Sequence, residues 1–172
     1  EAHSMEHGDH VALNYDLDAP LVECTSIEDW KEKAKGHKVF VTPHHMGYQG
    51  GYRGYNWKCF TEGDITPFVE MYSRHGLAES DQGDYPYLHD MGPRQWEGTI
   101  QYGLEQGHKF GIMASTDQHA GYPGSYGDGR IGVLAPSLTR DAIWEALRTR
   151  HVCAATGDKI IIDFRLNDAF MG

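Results

Sequence analysis

Two short segments concentrate side chains able to hold a metal ion or move a proton. His44 and His45 follow the apolar run Val39-Phe40-Val41-Thr42, and Asp117 and His119 follow Lys109 to Ala114. Residues i and i+2 of an extended segment point to the same side, so Asp117 and His119 are spaced to bind one metal ion or two neighbouring ones. Carboxylate and imidazole together suit zinc, manganese or iron, and no cysteine lies nearby to make a thiolate site. A third concentration is N-terminal, where Glu1, His3, His7, Asp9 and His10 crowd into ten residues. Singly, each piece has a bland reading: a lone histidine at a strand end is usually a loop residue, and Asp-x-His is a common coincidence. Their convergence at two strand ends is what argues for a metal centre.

Other chemistries find little support. Cys24, Cys59 and Cys153 are widely spaced and form no C-x-x-C pair, so neither a zinc ribbon nor a disulfide framework is indicated. Cys153 reads as a small buried hydrophobe. Ser73 and Ser115 follow strands but lack a Gly-x-Ser-x-Gly context, and no P-loop is present.

The elements that must carry these residues alternate. A strand is expected in His10–Tyr15. Ser26 caps a helix running to about Lys35, with Asp29 reaching back and Gly36 as the stop. Residues 38–42 form a short buried strand ended by Pro43. A Gly- and aromatic-rich loop fills 46–66, and 68–72 form a strand. A second loop covers 76–92, a helix Pro93 to Gln106, and a strand 109–114. After a Gly/Tyr loop come a strand at 131–135 and a helix capped by Thr139, with Leu138 and Ile143 as a hydrophobic staple. A strand at 159–166 closes the chain. Strands and helices at this spacing suggest parallel βα units, whose functional groups sit at the C-terminal strand ends.

Length and composition bound the rest. The chain has 172 residues, 40% hydrophobic and 23% charged, which suits one soluble domain. It opens at Glu1 without an initiator Met and reads as cut from a longer protein. A net charge of −10 argues against a nonspecific nucleic-acid coat, and eleven histidines are many for this length. No apolar run approaches the roughly 18 residues of a membrane span.

The motifs together resemble the PHP (polymerase and histidinol phosphatase) superfamily of metal-dependent phosphoesterases. Ala114 to His119 looks like its last metal-binding motif, Val41 to His45 like an earlier strand-end histidine, and Glu1 with Gly8 to Val11 like its bridging glutamate and a downstream histidine. An uncharacterised branch is closer still. Its ordered motifs are similar to Glu1 to Ser4, Gly8 to His10, Pro43 to His45, Val69 to Gly76 and Ala155 to Gly157, spanning essentially the whole chain.

The resemblance implies an α/β fold, an incomplete distorted (β/α) barrel of mostly parallel strands, with residues 1–172 as a single partial domain. The family's opening His-x-His and the first strands are missing. It implies that Glu1 bridges two metals, that His10 and His44 complete one site, with His45 the alternative to His44, that Asp117 binds the other bridged metal, and that His119 binds a third. Glu70, His75 and Glu79 belong to the branch pattern as substrate-facing or supporting residues. Arg53 and Arg74, on or beside the long loops, are candidates to stabilise developing charge.

The expected function is metal-dependent hydrolysis of a small-molecule phosphoester, with zinc foremost and manganese or iron as alternatives, in a fragment impaired on its own. A non-catalytic metal-binding scaffold or sensor, and an amidohydrolase-type enzyme acting on C–N bonds, are the competing readings. Neither nucleic acid nor membrane is expected as a partner. Self-association is expected through exposed barrel edges.

Overall fold

In the computed structural model, residues 6–19, 21–24, 26–51, 53–63, 65–82, 92–122, 124–125 and 127–172 are described. The alternating stretch near the N-terminus forms β1 (Asp9–Asn14), and the Ser26 cap starts α1 (Ile27–Lys33), its hydroxyl accepting from the Asp29 N–H. Strand β2 (Val39–His44) follows and is buried along its whole length. It runs through Pro43 rather than stopping there. The proline lies opposite His10 in the ladder with β1, which completes a pairing already registered from Asn14 and Val39.

Next come β3 (Phe68–Ser73) and the two-residue β4 (Gly76–Leu77). The helix expected from Pro93 is shorter. A 3-10 turn occupies Trp96–Gly98, and Thr99 caps α2 (Ile100–Glu105) by accepting from the Tyr102 N–H. The hydroxyl of Thr99, rather than the proline, satisfies the first-turn donor. Beyond lie β5 (Gly111–Ala114), β6 (Arg130–Val133), α3 (Arg140–Arg148), β7 (Val152–Ala155), β8 (Arg165–Leu166) and β9 (Ala169–Phe170).

Pairing overturns the parallel-barrel expectation. The described strands form small sheets, β1-β2, β4-β3-β5, β6-β7 and β8-β9, and β3-β5 is their one parallel ladder. No barrel closes. Alternation of strand and helix does not by itself set strand direction. Here the two clearest strand–helix–strand stretches are long antiparallel hairpins. The chain leaves β1 at Asn14 and re-enters β2 at Val39 directly opposite, and Tyr15 N–H donates to Lys38 O at 2.9 Å. It leaves β6 at Val133 and re-enters β7 opposite at Val152, with Leu134 N–H donating to His151 O at 2.9 Å. Each helix therefore sits in a connection that returns to the end it left.

Strand β2 nevertheless runs beside β3 in the same direction. Thr42 Oγ1 donates to Phe68 O at 3.2 Å, and His44 meets Glu70 two residues further along both strands. The C-terminal ends of β2, β3 and β5 consequently lie together. Beneath them Phe40, Phe68, Met113 and Val152 form a core joined by Trp144 and Leu147 of α3, with the Trp144 ring stacked on Phe40. Trp30 of α1 packs on Val39 and Val41, and Met46, Tyr55, Trp57, Val69, Ala78 and Ile100 fill the space under the Gly-rich loop.

Three further expectations change. Leu138 is 94% exposed, so it forms no staple with Ile143. Cys153 is only partly buried, its Sγ lying over Gly132 of β6, and β7 was not anticipated. The expected C-terminal strand is paired only at Arg165 and Leu166, because nothing among the described residues lies alongside Ile160 to Ile162.

Candidate metal centre

The ends of β2, β3 and β5 bring together side chains far apart in sequence. His44 is the last residue of β2, His45 follows it, His75 lies in the tight turn after β3, and Asp117 comes three residues after β5. His44, His45 and Asp117 present ligand atoms all within 4.8 Å of one another. The Nε2 atoms of His44, His45 and His75 lie 3.6, 3.1 and 2.8 Å from Asp117 Oδ2. Three imidazoles thus converge on one carboxylate oxygen.

Backbone conformation directs two of these residues inward. His45 and Asp117 have φ of 54° and 47°, in the left-handed region. That region is uncommon outside glycine, although His and Asp tolerate it best, and such residues gather at ligand clamps. Each departure turns the chain just past a strand end, which places His45 against His44, with ring centroids 3.7 Å apart.

The other ring nitrogens are held from behind. His44 Nδ1 donates to Glu70 Oε1 at 2.7 Å, and Ser115 Oγ donates to Glu70 Oε2 at 2.5 Å. His45 Nδ1 donates to Asp9 Oδ2 at 2.7 Å, and Arg53 Nη1 to the same oxygen at 3.3 Å. A carboxylate on Nδ1 fixes the tautomer and leaves Nε2 as the ligand atom, the arrangement common behind metal-bound histidines.

Electrostatics follow from that crowding. Burial disfavours the imidazolium of His44, yet Glu70 and Asp117 outweigh it and push its pKa up to about 10. His45 is likewise raised: its hydrogen bonds to Asp117 and Asp9 overcome burial and the repulsion of His44. Burial would raise Asp117, but hydrogen bonds and charge from His44 and His45 hold it well below the usual carboxylate range.

The remaining expected residues are dispersed. His119 is 71% exposed and its Nδ1 lies 3.8 Å from Asp117 Oδ1, at the rim. His10 alternates with Asp9 along β1. Its ring packs edge-on against Tyr55 and helps line a small cavity with Trp30, Val41 and Cys59. Desolvation lowers its pKa to about 4, which keeps it neutral. Arg74 is exposed beside His75, and Glu79 is exposed. Glu1 and His3 lie outside the described residues. Asp9 and Ser115 were absent from the ligand set implied by sequence. Asp9 stands between Gly8 and His10 in a quoted motif, and strand alternation was the signal that one of the pair faces His45.

The chain is similar to longer chlamydial proteins. It is 28% identical over 135 residues to an uncharacterized protein of Chlamydia trachomatis serovar D, an alignment covering 69% of this chain and 21% of that protein. It is 30% identical over 115 residues to an uncharacterized protein of Chlamydia muridarum, covering 60% of this chain and 18% of the relative. The chain thus spans about a fifth of the length of the curated relatives it matches. No protein-family model and no solved structure matches it.

Proposed function

We propose that this chain carries the centre of a metal-dependent hydrolase whose substrates are phosphoesters. The observation that carries the proposal is the convergence of three Nε2 atoms on Asp117 Oδ2, with two of the rings held by buried carboxylates. Imidazole and carboxylate donors fit zinc foremost, then manganese or iron. His44, His45 and Asp117 hold the ion, and His75 is close enough to join them. Held by these residues, a divalent ion would supply a water of lowered pKa and a Lewis acid for a phosphoryl oxygen. The phosphoester preference rests on the resemblance of the ordered motifs to those of the PHP superfamily. To Arg74, exposed on the turn that carries His75, we assign the contact with an anionic substrate.

The test is elemental analysis followed by hydrolysis of p-nitrophenyl phosphate and its bis ester, on wild type, Asp117→Ala and His45→Ala. Wild type is expected to retain about one ion or more per chain, and the full-length protein that contains it to turn over an ester, with the variants losing both properties together. Metal retained unchanged in the variants would overturn the site. Metal bound without turnover would leave a scaffold or sensor in place of an enzyme.

A further inference from the structure

We propose that Arg53 and Asp9 act as a positioning pair for His45, so that the Gly-rich loop around Arg53 sets the geometry of the metal centre. The inference rests on the metal reading above. Asp9, the first residue of β1, is 1% exposed and lies opposite His44 in the β1-β2 ladder. Its Oδ2 accepts from His45 Nδ1 at 2.7 Å and from Arg53 Nη1 at 3.3 Å. In return the Asp9 N–H donates to Arg53 O at 3.3 Å. The two residues therefore grip each other through side chain and backbone. A buried carboxylate is costly without such charge-assisted partners.

His45 needs this support more than His44 does. His44 is held in a regular strand, whereas His45 has left it with φ of 54°. The two supporting arms also differ in kind. Behind His44, Glu70 ends on the Ser115 hydroxyl, which adds no charge. Behind His45, Asp9 ends on a guanidinium whose side chain is 38% exposed and belongs to the loop. That loop is clamped to the start of β1 by close backbone approach. Gly8 has φ of +82°, and a Cβ there would stand 2.8 Å from Gly54 O and from Tyr55 Cα. The position of Arg53 is thereby tied to the position of Asp9. Arg53 thus acts through Asp9 on a ligand, rather than on substrate.

Cobalt(II) tests this, because its visible absorption reports ligand geometry independently of turnover. The variants are Asp9→Asn, Arg53→Ala, Arg53→Lys and Asp117→Ala, with Lys58→Ala as a control on the same loop. Asp9→Asn is expected to weaken cobalt binding about 10- to 100-fold, the usual effect of removing a residue that orients a ligand, and to change the absorption band. Arg53→Ala should weaken binding several-fold with a change in the same band. Arg53→Lys should restore part of both, and Lys58→Ala should match wild type. If Asp9→Asn does not fold, Arg53→Ala against Arg53→Lys decides. Wild-type affinity and spectrum in Arg53→Ala and Asp9→Asn, with cobalt binding lost in Asp117→Ala, would overturn the positioning role alone. Undiminished binding in Asp117→Ala would overturn the metal reading and this inference with it.

Discussion

His44 touches two carboxylates at once, Glu70 through Nδ1 and Asp117 through Nε2, and this decides how the centre responds to pH. Its pKa rises from 6.5 in the unfolded reference to about 10 in the folded chain. The stability it contributes is therefore complete below about 6.5 and is lost as pH climbs through about 10. Asp117 has the opposite sign. Its contribution is present above the unfolded value of 3.8 and is lost as pH falls through its depressed folded value. A metal ion needs the neutral imidazole, so it competes with the proton that His44 holds. Metal affinity should rise steadily between pH 7 and 9, and binding at pH 7.5 should release about one proton or more per ion. Calorimetry in buffers of different ionisation enthalpy measures this directly. Heats independent of buffer would show that His44 is already neutral.

At the scale of elements, the Gly-rich loop and α2 hold each other. Trp57 Nε1 donates to Thr99 O at 2.9 Å, and the indole ring lies flat where α2 offers Gly103. A Cβ on Gly103 would collide with the Trp57 ring. Two effects then oppose each other in Gly103→Ala. Helix propensity favours alanine by about 1 kcal/mol, while overpacking a filled core costs about 1–3 kcal/mol. Overpacking should win, with a net loss of up to about 2 kcal/mol seen as a lower urea midpoint. A midpoint that rises instead would mean that the indole swings aside freely. Such a loop would be too loosely held to position Arg53.

Over the whole molecule, apolar side chains are unevenly covered. The core beneath the His44, His45 and Asp117 cluster is buried, yet Ile161 is 93% exposed, Phe164 63% and Leu166 69%. The β8-β9 hairpin touches the body through Phe170 on His151. Deleting residues 159–172 should consequently cost little stability, about 1 kcal/mol or less, while reducing binding of a hydrophobic dye. Sedimentation before and after the deletion also checks the self-association expected from the sequence, since these side chains, with Leu17, Leu21 and Leu138, belong to the exposed apolar surface. A fall in Tm of more than about 5 °C would contradict the exposed placement. Among the described residues no helix is long and apolar enough to cross a membrane.

The His44, His45 and Asp117 cluster was largely legible in the sequence, because its residues lie just after strands and carry types able to bind ions. His44, His45 and Asp117 are read that way, and so are the helix caps Ser26 and Thr139, each a local matter of one hydroxyl and one N–H. Helix α2 was misplaced at its start because the proline at 93 is a weaker signal than the Thr99 hydroxyl. Strand direction was not legible. A strand, a helix and a strand in succession describe both a parallel crossover and a long hairpin, and only the return of the chain beside Asn14 and beside Val133 chose the hairpin. The same holds for the second layer of the site. Asp9 and His10 are adjacent in sequence with similar chemistry, but a strand sends neighbours to opposite faces, and the β1-β2 register decided that Asp9 meets His45 while His10 packs on Tyr55. Residue type and spacing determined which groups are able to bind a metal ion. Tertiary packing decided which of them share one oxygen of Asp117, because that depends on contacts between strands distant along the chain.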